Sequence, residues 1–216
     1  LLWLYSWNGQ QLWREYRIMD NLLIVFLKNP ILGKVKTRLA KDIGNENALQ
    51  VYLRLLDINL QCISKFNGKV HLYFDSFLPE NNSYPEHFKL MIQEGNDLGE
   101  RMSNAFQNSF EKGFKKCIII GSDCPAIEPK HLEKSLTNFD TTDVVFGPAI
   151  DGGYYLLGMN KYYPELFKNV EWSSEKVLDQ SISICINKNL KHQLLEPLRD
   201  IDTKDDLDFY FEKFFN

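Results

Sequence analysis

Glycine and proline are scarce in this 216-residue chain, at 12 and 8 residues, too few for a collagen-like or low-complexity sequence. Positive charge is not in excess either. The formal net charge of −4 speaks against a general nucleic-acid or membrane-surface binder. No apolar run is long enough to span a bilayer. The aromatic opening, residues 1–18, lacks the basic start, long apolar centre and small-residue cleavage site of a secretory signal. The cysteines (Cys62, Cys117, Cys124, Cys185) form no C-x-x-C pair and have no His at metal spacing. A zinc site is therefore not expected, and a reduced, cytoplasmic protein is the simple reading. Two nucleotide-binding signatures are also missing. G-x-G-x-x-G does not occur, and the loop around Gly33 lacks the first Gly and the Ser or Thr of a Walker A loop.

What remains is an ordinary globular composition, with 44% hydrophobic and 25% charged residues. The length suits one large domain. Three of the four Trp (Trp3, Trp7, Trp13) fall before Met19, and a strand-like run follows Met19 directly. The expected domain is residues 19–216, with residues 1–18 an upstream extension.

Hydrophobic periodicity places the elements. Leu22–Leu27 and Cys117–Gly121 are continuous apolar runs, the mark of strands buried on both faces. Further strands are expected at Val70–Phe74, Lys89–Gln93, Asp143–Gly147 and Tyr154–Gly158, with an extended segment at Leu194–Leu198. Helices are expected from Asn45 to about Ser64, from Leu98 with Asp97 as cap, and over Glu128–Asn138 with Pro129 in the first turn. Two more are expected over Ser173–Ser183 and Thr203–Phe214, the last opening on a Thr203/Asp206 capping box. Strands alternating with helices imply a mostly parallel sheet covered on both faces. Ligands of such sheets bind beyond the carboxyl ends of the strands, which singles out the loops starting at Lys28, Ser122 and Pro148.

The first loop carries Lys28, Lys34, Lys36 and Arg38 around Gly33, with no acid before Asp42. Clustered cations beside a Gly suit a polyphosphate. In the second, Gly121-Ser-Asp-Cys-Pro125, Asp123 sits where a nucleotide's metal would be held, since Mg²⁺ takes only one or two protein carboxylates. In the third, Gly152 and Gly153 form a hairpin turn or admit a ligand closely, with Asp151 to contact it. Near the end of the chain Asp200 and Asp202 alternate, so in an extended segment they point the same way and one could complete a metal site.

Six stretches in order carry a resemblance: KNPILGKVKTRL (28–39), EGNDLGERM (94–102), GSDCP (121–125), GPAIDGGYYLLG (147–158), EWSSEKVL (171–178) and DIDTKDDL (200–207). Together they resemble the nucleotide-diphospho-sugar transferase superfamily with the glycosyltransferase-A fold. More narrowly, they resemble a bacterial subfamily often labelled a domain of unknown function or a glycosyltransferase. The resemblance implies a single-domain three-layer α/β/α sandwich and a Mg²⁺- or Mn²⁺-dependent transferase. Its partners would be a nucleotide sugar or nucleoside triphosphate and a small-molecule acceptor. Catalytic roles would fall to Asp123, Lys36, Arg38 and Asp151. Nucleotide binding would fall to Lys28, Gly33, Lys34, Lys36, Arg38, Ser122, Gly152 and Gly153, and metal binding to Asp123 with Asp200 or Asp202. One departure matters: many metal-dependent glycosyltransferases of this fold carry Asp-x-Asp after the central strand, whereas here Asp123 stands alone, as in nucleotidyltransferases. The loop chemistry leans to nucleotidyl transfer and the subfamily label to glycosyl transfer; glycosyl transfer is placed slightly ahead, nucleotidyl transfer is the alternative, and a non-catalytic nucleotide binder stands behind both.

Overall fold

The computed structural model describes residues 20–80 and 84–211. The expectations for residues 1–18 and for Phe214 lie outside them. Seven strands form one sheet: β1 (Asn21–Leu27), β2 (Lys69–Phe74), β3 (Phe88–Ile92), β4 (Lys116–Ile120), β5 (Val144–Pro148), β6 (Tyr154–Met159) and β7 (His192–Leu194). Their order across the sheet is β3-β2-β1-β4-β6-β5-β7. All neighbours pair in parallel except β6, which runs antiparallel to both β4 and β5.

The period-2 geometry of a strand divides the apolar run of β1 between two cores. Leu23, Val25 and Leu27 face one side, where Tyr52, Leu56 and Ile63 of α2 (Asn45–Ile63) and Leu132 of α4 (Pro129–Asn138) cover the sheet. Leu22 and Ile24 face the other, beneath Met102 and Phe106 of α3 (Leu98–Glu111) and Cys185 of α5 (Val177–Asn187). The fold is the expected three-layer α/β/α sandwich. The short helices α1 (Ala40–Ile43) and α6 (Lys204–Phe209) belong to a small third cluster in which Leu39, Ile201 and Leu207 pack on Val51 and Leu55 of α2.

Local chemistry sets the helix starts. The Asp97 carboxylate accepts from the Glu100 N–H at 2.8 Å, and Thr203 and Asp206 form the reciprocal capping box. Three expectations shift. α5 begins at Val177 rather than Ser173, because Ser173 takes a left-handed φ of 63°, which an L-residue does not sustain in a helix. The last strand pairs only over His192–Leu194, and Leu198 then makes a single bridge to Ala149. The last helix covers six residues within the described chain. Among the described residues no helix is long and apolar enough to cross a membrane, and all four cysteines are buried.

Phe106 is fully buried between α3 and the sheet and packs on Phe110 and Phe167. Phe106→Ala is expected to lower the unfolding free energy by about 3–5 kcal/mol through lost transfer energy and the cavity left behind. Urea titration followed by circular dichroism measures it.

Candidate active site

The carboxyl ends of β1, β2, β3 and β4 open on a cleft of about 730 Å³, bordered on its far side by the β5–β6 turn, residues 172–175 and Val177. Helix α2 fixes the two central loops. The Tyr52 hydroxyl donates to the Lys28 carbonyl at 2.9 Å, accepts from the Lys28 N–H at 2.8 Å and lies 3.4 Å from Ser122 Oγ. Two helical turns on, the buried Asn59 amide donates to the carbonyls of Ser122 and Cys124, both at 3.3 Å. The loops after β1 and β4 are therefore pinned to one helix face.

Lys36 lies at the centre. Its backbone takes a left-handed φ of 47°, and its side chain is 3% exposed. The ammonium meets Asp123 Oδ1 at 2.5 Å and Asp202 Oδ1 at 3.2 Å. Burial opposes its charge, but the carboxylates of Asp123 and Asp202 outweigh that, and its pKa lies above the ordinary lysine value. The segment supplying Asp202 is tied alongside: the Ile201 N–H donates to the Asp123 carbonyl at 3.0 Å, and the Cys124 thiol to the Arg199 carbonyl at 3.5 Å.

Asp200 lies beside this pair without a cation of its own. One of its carboxylate oxygens is buried with no hydrogen-bond partner. Burial, reinforced by the charge of Asp123 and less strongly by Asp151 and Asp202, pushes its pKa from 3.8 up to about 7 despite the nearby Lys36. Among the described residues no group of three His, Cys, Asp or Glu side chains could hold a metal ion by itself. The donor set nevertheless fits a hard divalent cation shared with phosphates. Oxygen donors from Asp123 and Asp200 or Asp202 are brought together, one of them unsatisfied, and Mg²⁺ needs no more than one or two protein carboxylates.

The remaining expected residues divide. Lys28, Arg38, Ser122, Asp151 and Gly153 line the same cleft as Lys36, Asp123, Asp200 and Asp202, whereas Gly33, Lys34 and Gly152 do not. Lys34 is exposed. Val35 beside it is buried in the core, and the left-handed turn at Lys36 sends the next cation inward. Lys36 is also not the free cation expected for phosphate, since Asp123 and Asp202 already neutralise it. Lys28 and Arg38 are exposed, and their side chains have no partner among the described residues. Gly152 acts behind the wall: at φ 89° any Cβ there would collide with the Glu175 carbonyl, and its own carbonyl accepts from the Leu178 N–H at 3.0 Å.

The loops singled out in the sequence omit several lining residues. Asp75 and Gln93 follow β2 and β3. Leu98, Arg101 and Met102 come from the start of α3, and Trp172 to Glu175 from the loop before α5. The stretches EGNDLGERM and EWSSEKVL carried the last two groups as family signals without a role. Asp75 and Gln93 could have been reached by applying the carboxyl-end rule to every strand.

Asp200 binds its proton more tightly folded than unfolded, so its contribution to stability is full below about pH 4 and is lost as pH rises towards 7. Asp200→Asn is expected to remove that decline. The variant should melt above the parent chain at pH 8, with the gap closing towards pH 4. A gap independent of pH would contradict the buried, unpaired state of Asp200. Thermal melts at a series of pH values measure it.

No curated protein matches the chain. Among solved structures it is similar to a protein from Desulfovibrio desulfuricans G20 assigned as a nucleotide-diphospho-sugar transferase, with 29% identity and a TM-score of 0.85 over 92% of this chain and 89% of that one. It also shares its fold with 4-diphosphocytidyl-2C-methyl-D-erythritol synthase from Anaerococcus prevotii, at 9% identity and TM-score 0.59 over 90% and 99% of the two chains. A third likeness is to the inositol-1-phosphate CTP transferase of T. maritima, at 13% identity and TM-score 0.58 over 91% and 95%. The Desulfovibrio protein agrees with the resemblance carried by the six stretches, and the other two share the fold. Residues 58–174, more than half of the sequence, match the family described as "Uncharacterized protein conserved in bacteria (DUF2064)", and the chain belongs to that family.

Proposed function

We propose that the chain is a divalent-metal-dependent transferase that binds a nucleotide by its phosphates and, of the two chemistries open to that site, catalyses nucleotidyl transfer. One observation carries the reading. A carboxylate cluster with an unsatisfied oxygen, Asp123, Asp200 and Asp202, shares one cleft with the unpaired cations Lys28 and Arg38. A bound cation would supply Lewis-acid polarisation at the phosphate. The chain's own residues do the rest. Lys28 and Arg38 neutralise the departing pyrophosphate, and Lys36 holds Asp123 and Asp202 in place. The acceptor oxygen attacks the α-phosphorus as the bond to the β-phosphate oxygen breaks.

Glycosyl transfer is the second reading, and Asp151 favours it. Its carboxylate is exposed at the cleft rim, one oxygen accepting only from the Gly153 N–H at 3.0 Å, and so could take a proton from an acceptor hydroxyl. The two readings differ in product: pyrophosphate in the first, a nucleoside diphosphate in the second.

A saturating nucleoside triphosphate with Mg²⁺ or Mn²⁺ is expected to raise stability, by about 2.7 kcal/mol at a hundred times Kd. Asp123→Ala should abolish the metal-dependent part, and Arg38→Ala should weaken triphosphate binding about tenfold while leaving nucleoside binding unchanged. A thermal-shift panel of triphosphates and nucleotide sugars, with and without metal, checks both. Stabilisation by nucleotide sugars alone would move the assignment to glycosyl transfer, and no stabilisation by any nucleotide would refute both readings.

A further inference from the structure

Lys36 draws on the same carboxylates that a divalent cation would use. Its side chain is 3% exposed, whereas those of Asp123 and Asp202 are 42% and 43% exposed and line the cleft. Each carboxylate meets the ammonium through Oδ1, and neither Oδ2 has a hydrogen-bond partner among the described residues. The pair is thus held on its buried side and open towards the cleft. The backbone that carries the ammonium is fixed. Val35 and Leu39 are buried in the core, the Lys36 carbonyl accepts from the Ala40 N–H at 2.8 Å, and the left-handed turn at Lys36 sends its side chain inward.

Charge then decides what can enter. One ammonium against two carboxylates leaves a single uncompensated negative charge, to which Asp200 adds when ionised. No other carboxylate forms an ion pair with Lys36 among the described residues, so nothing in the chain replaces either partner. A bare divalent cation would draw Asp123 and Asp202 away from a buried ammonium, in a cleft that Lys28 and Arg38 also line. Like charges in a partly buried site repel more strongly than in water, because less solvent screens them. A polyphosphate reverses the balance. Its oxygens supply the negative charge that the cation and Lys36 would otherwise compete for.

We propose that Lys36 makes the site selective for a cation that arrives with phosphates: its ammonium weakens the binding of a bare divalent cation and strengthens that of a metal–polyphosphate pair. Lys36 is then a positioning residue that also couples the two ligands, so that each binds weakly without the other. The coupling rests on the reading above that Asp123, with Asp200 or Asp202, holds the cation.

The test is calorimetric titration of the full chain with Mn²⁺ alone, and with Mn²⁺ premixed in turn with ATP, CTP, GTP and UTP. Lys36→Met keeps an unbranched buried stem and removes the charge. It is expected to bind Mn²⁺ alone about tenfold more tightly than the parent, and the best metal–triphosphate complex about tenfold more weakly. Lys36→Gln is also uncharged yet can still donate to a carboxylate. It should show the same reversal, and it decides the matter if circular dichroism shows the Met variant unfolded. Opposite shifts in the two titrations are the signature. A residue that only braces the carboxylates would lose affinity in both, and one that only contacts phosphate would leave Mn²⁺ alone unchanged. Either result would overturn the coupling, as would complexes that bind parent and variants equally. Absence of Mn²⁺ binding to parent and variants alike, with or without triphosphate, would instead refute the metal reading on which the coupling rests.

Discussion

The buried ammonium of Lys36 organises the rest of the site. A lone cation inside a protein is strongly disfavoured unless carboxylates surround it, and Asp123 and Asp202 satisfy that requirement from two separate parts of the chain. The pairing joins the loop after β1, the loop after β4 and the segment before α6 around one atom. It also leaves a surplus. A single ammonium stands against Asp123, Asp200 and Asp202, with Asp151 adding a further negative charge near Asp200, so the interior of the cleft is negative, while Lys28, Arg38 and Arg101 line it from outside the cluster. Negative inside and positive around it is the charge order that a metal–polyphosphate pair presents in reverse. The chain's net charge of −4 conceals this order by averaging it.

The sheet delivers these groups through its one antiparallel strand. Because β6 runs against its neighbours, it starts at the edge where β4 and β5 end. The turn between β5 and β6 therefore lies at the same rim as the loops after β1 and β4, and Tyr154, the first residue of β6, lines the cleft alongside them. One hairpin thus contributes both a rim carboxylate, Asp151, and a wall residue. An all-parallel sheet would need a further crossover to achieve this.

Much of the architecture was legible in the sequence because burial on two faces leaves a blunt signature. LLIVFL and CIIIG read as central strands, and they are β1 and β4, neighbours at the middle of the sheet. The carboxyl-end rule then named three loops that line the cleft. Side-chain partnership was not legible. A run of Lys28, Lys34, Lys36 and Arg38 reads as four equivalent cations. Only a left-handed turn at Lys36 and carboxylates far along the chain distinguish the buried one from the others. Trp172 was similarly opaque, since its place at the cleft depends on Gly99 and Phe167 meeting it in space. Isolated polar residues at strand ends, Asp75 and Gln93, carry no compositional signal at all.

The contact between Lys36 and Asp202 spans 166 positions, and this sets an order of events during synthesis. Domain elements near the start of a chain can begin to fold while the ribosome is still adding residues at about 5–20 per second. The sheet centre, β1, β2 and β4, is complete by Ile120, well before Asp200 and Asp202 exist. For that interval Lys36 and Asp123 have only each other, and the carboxylate cluster lacks Asp200 and Asp202. The nascent chain can therefore acquire its scaffold early yet remains without the assembled site until the strap carrying Asp200 and Asp202 closes over it.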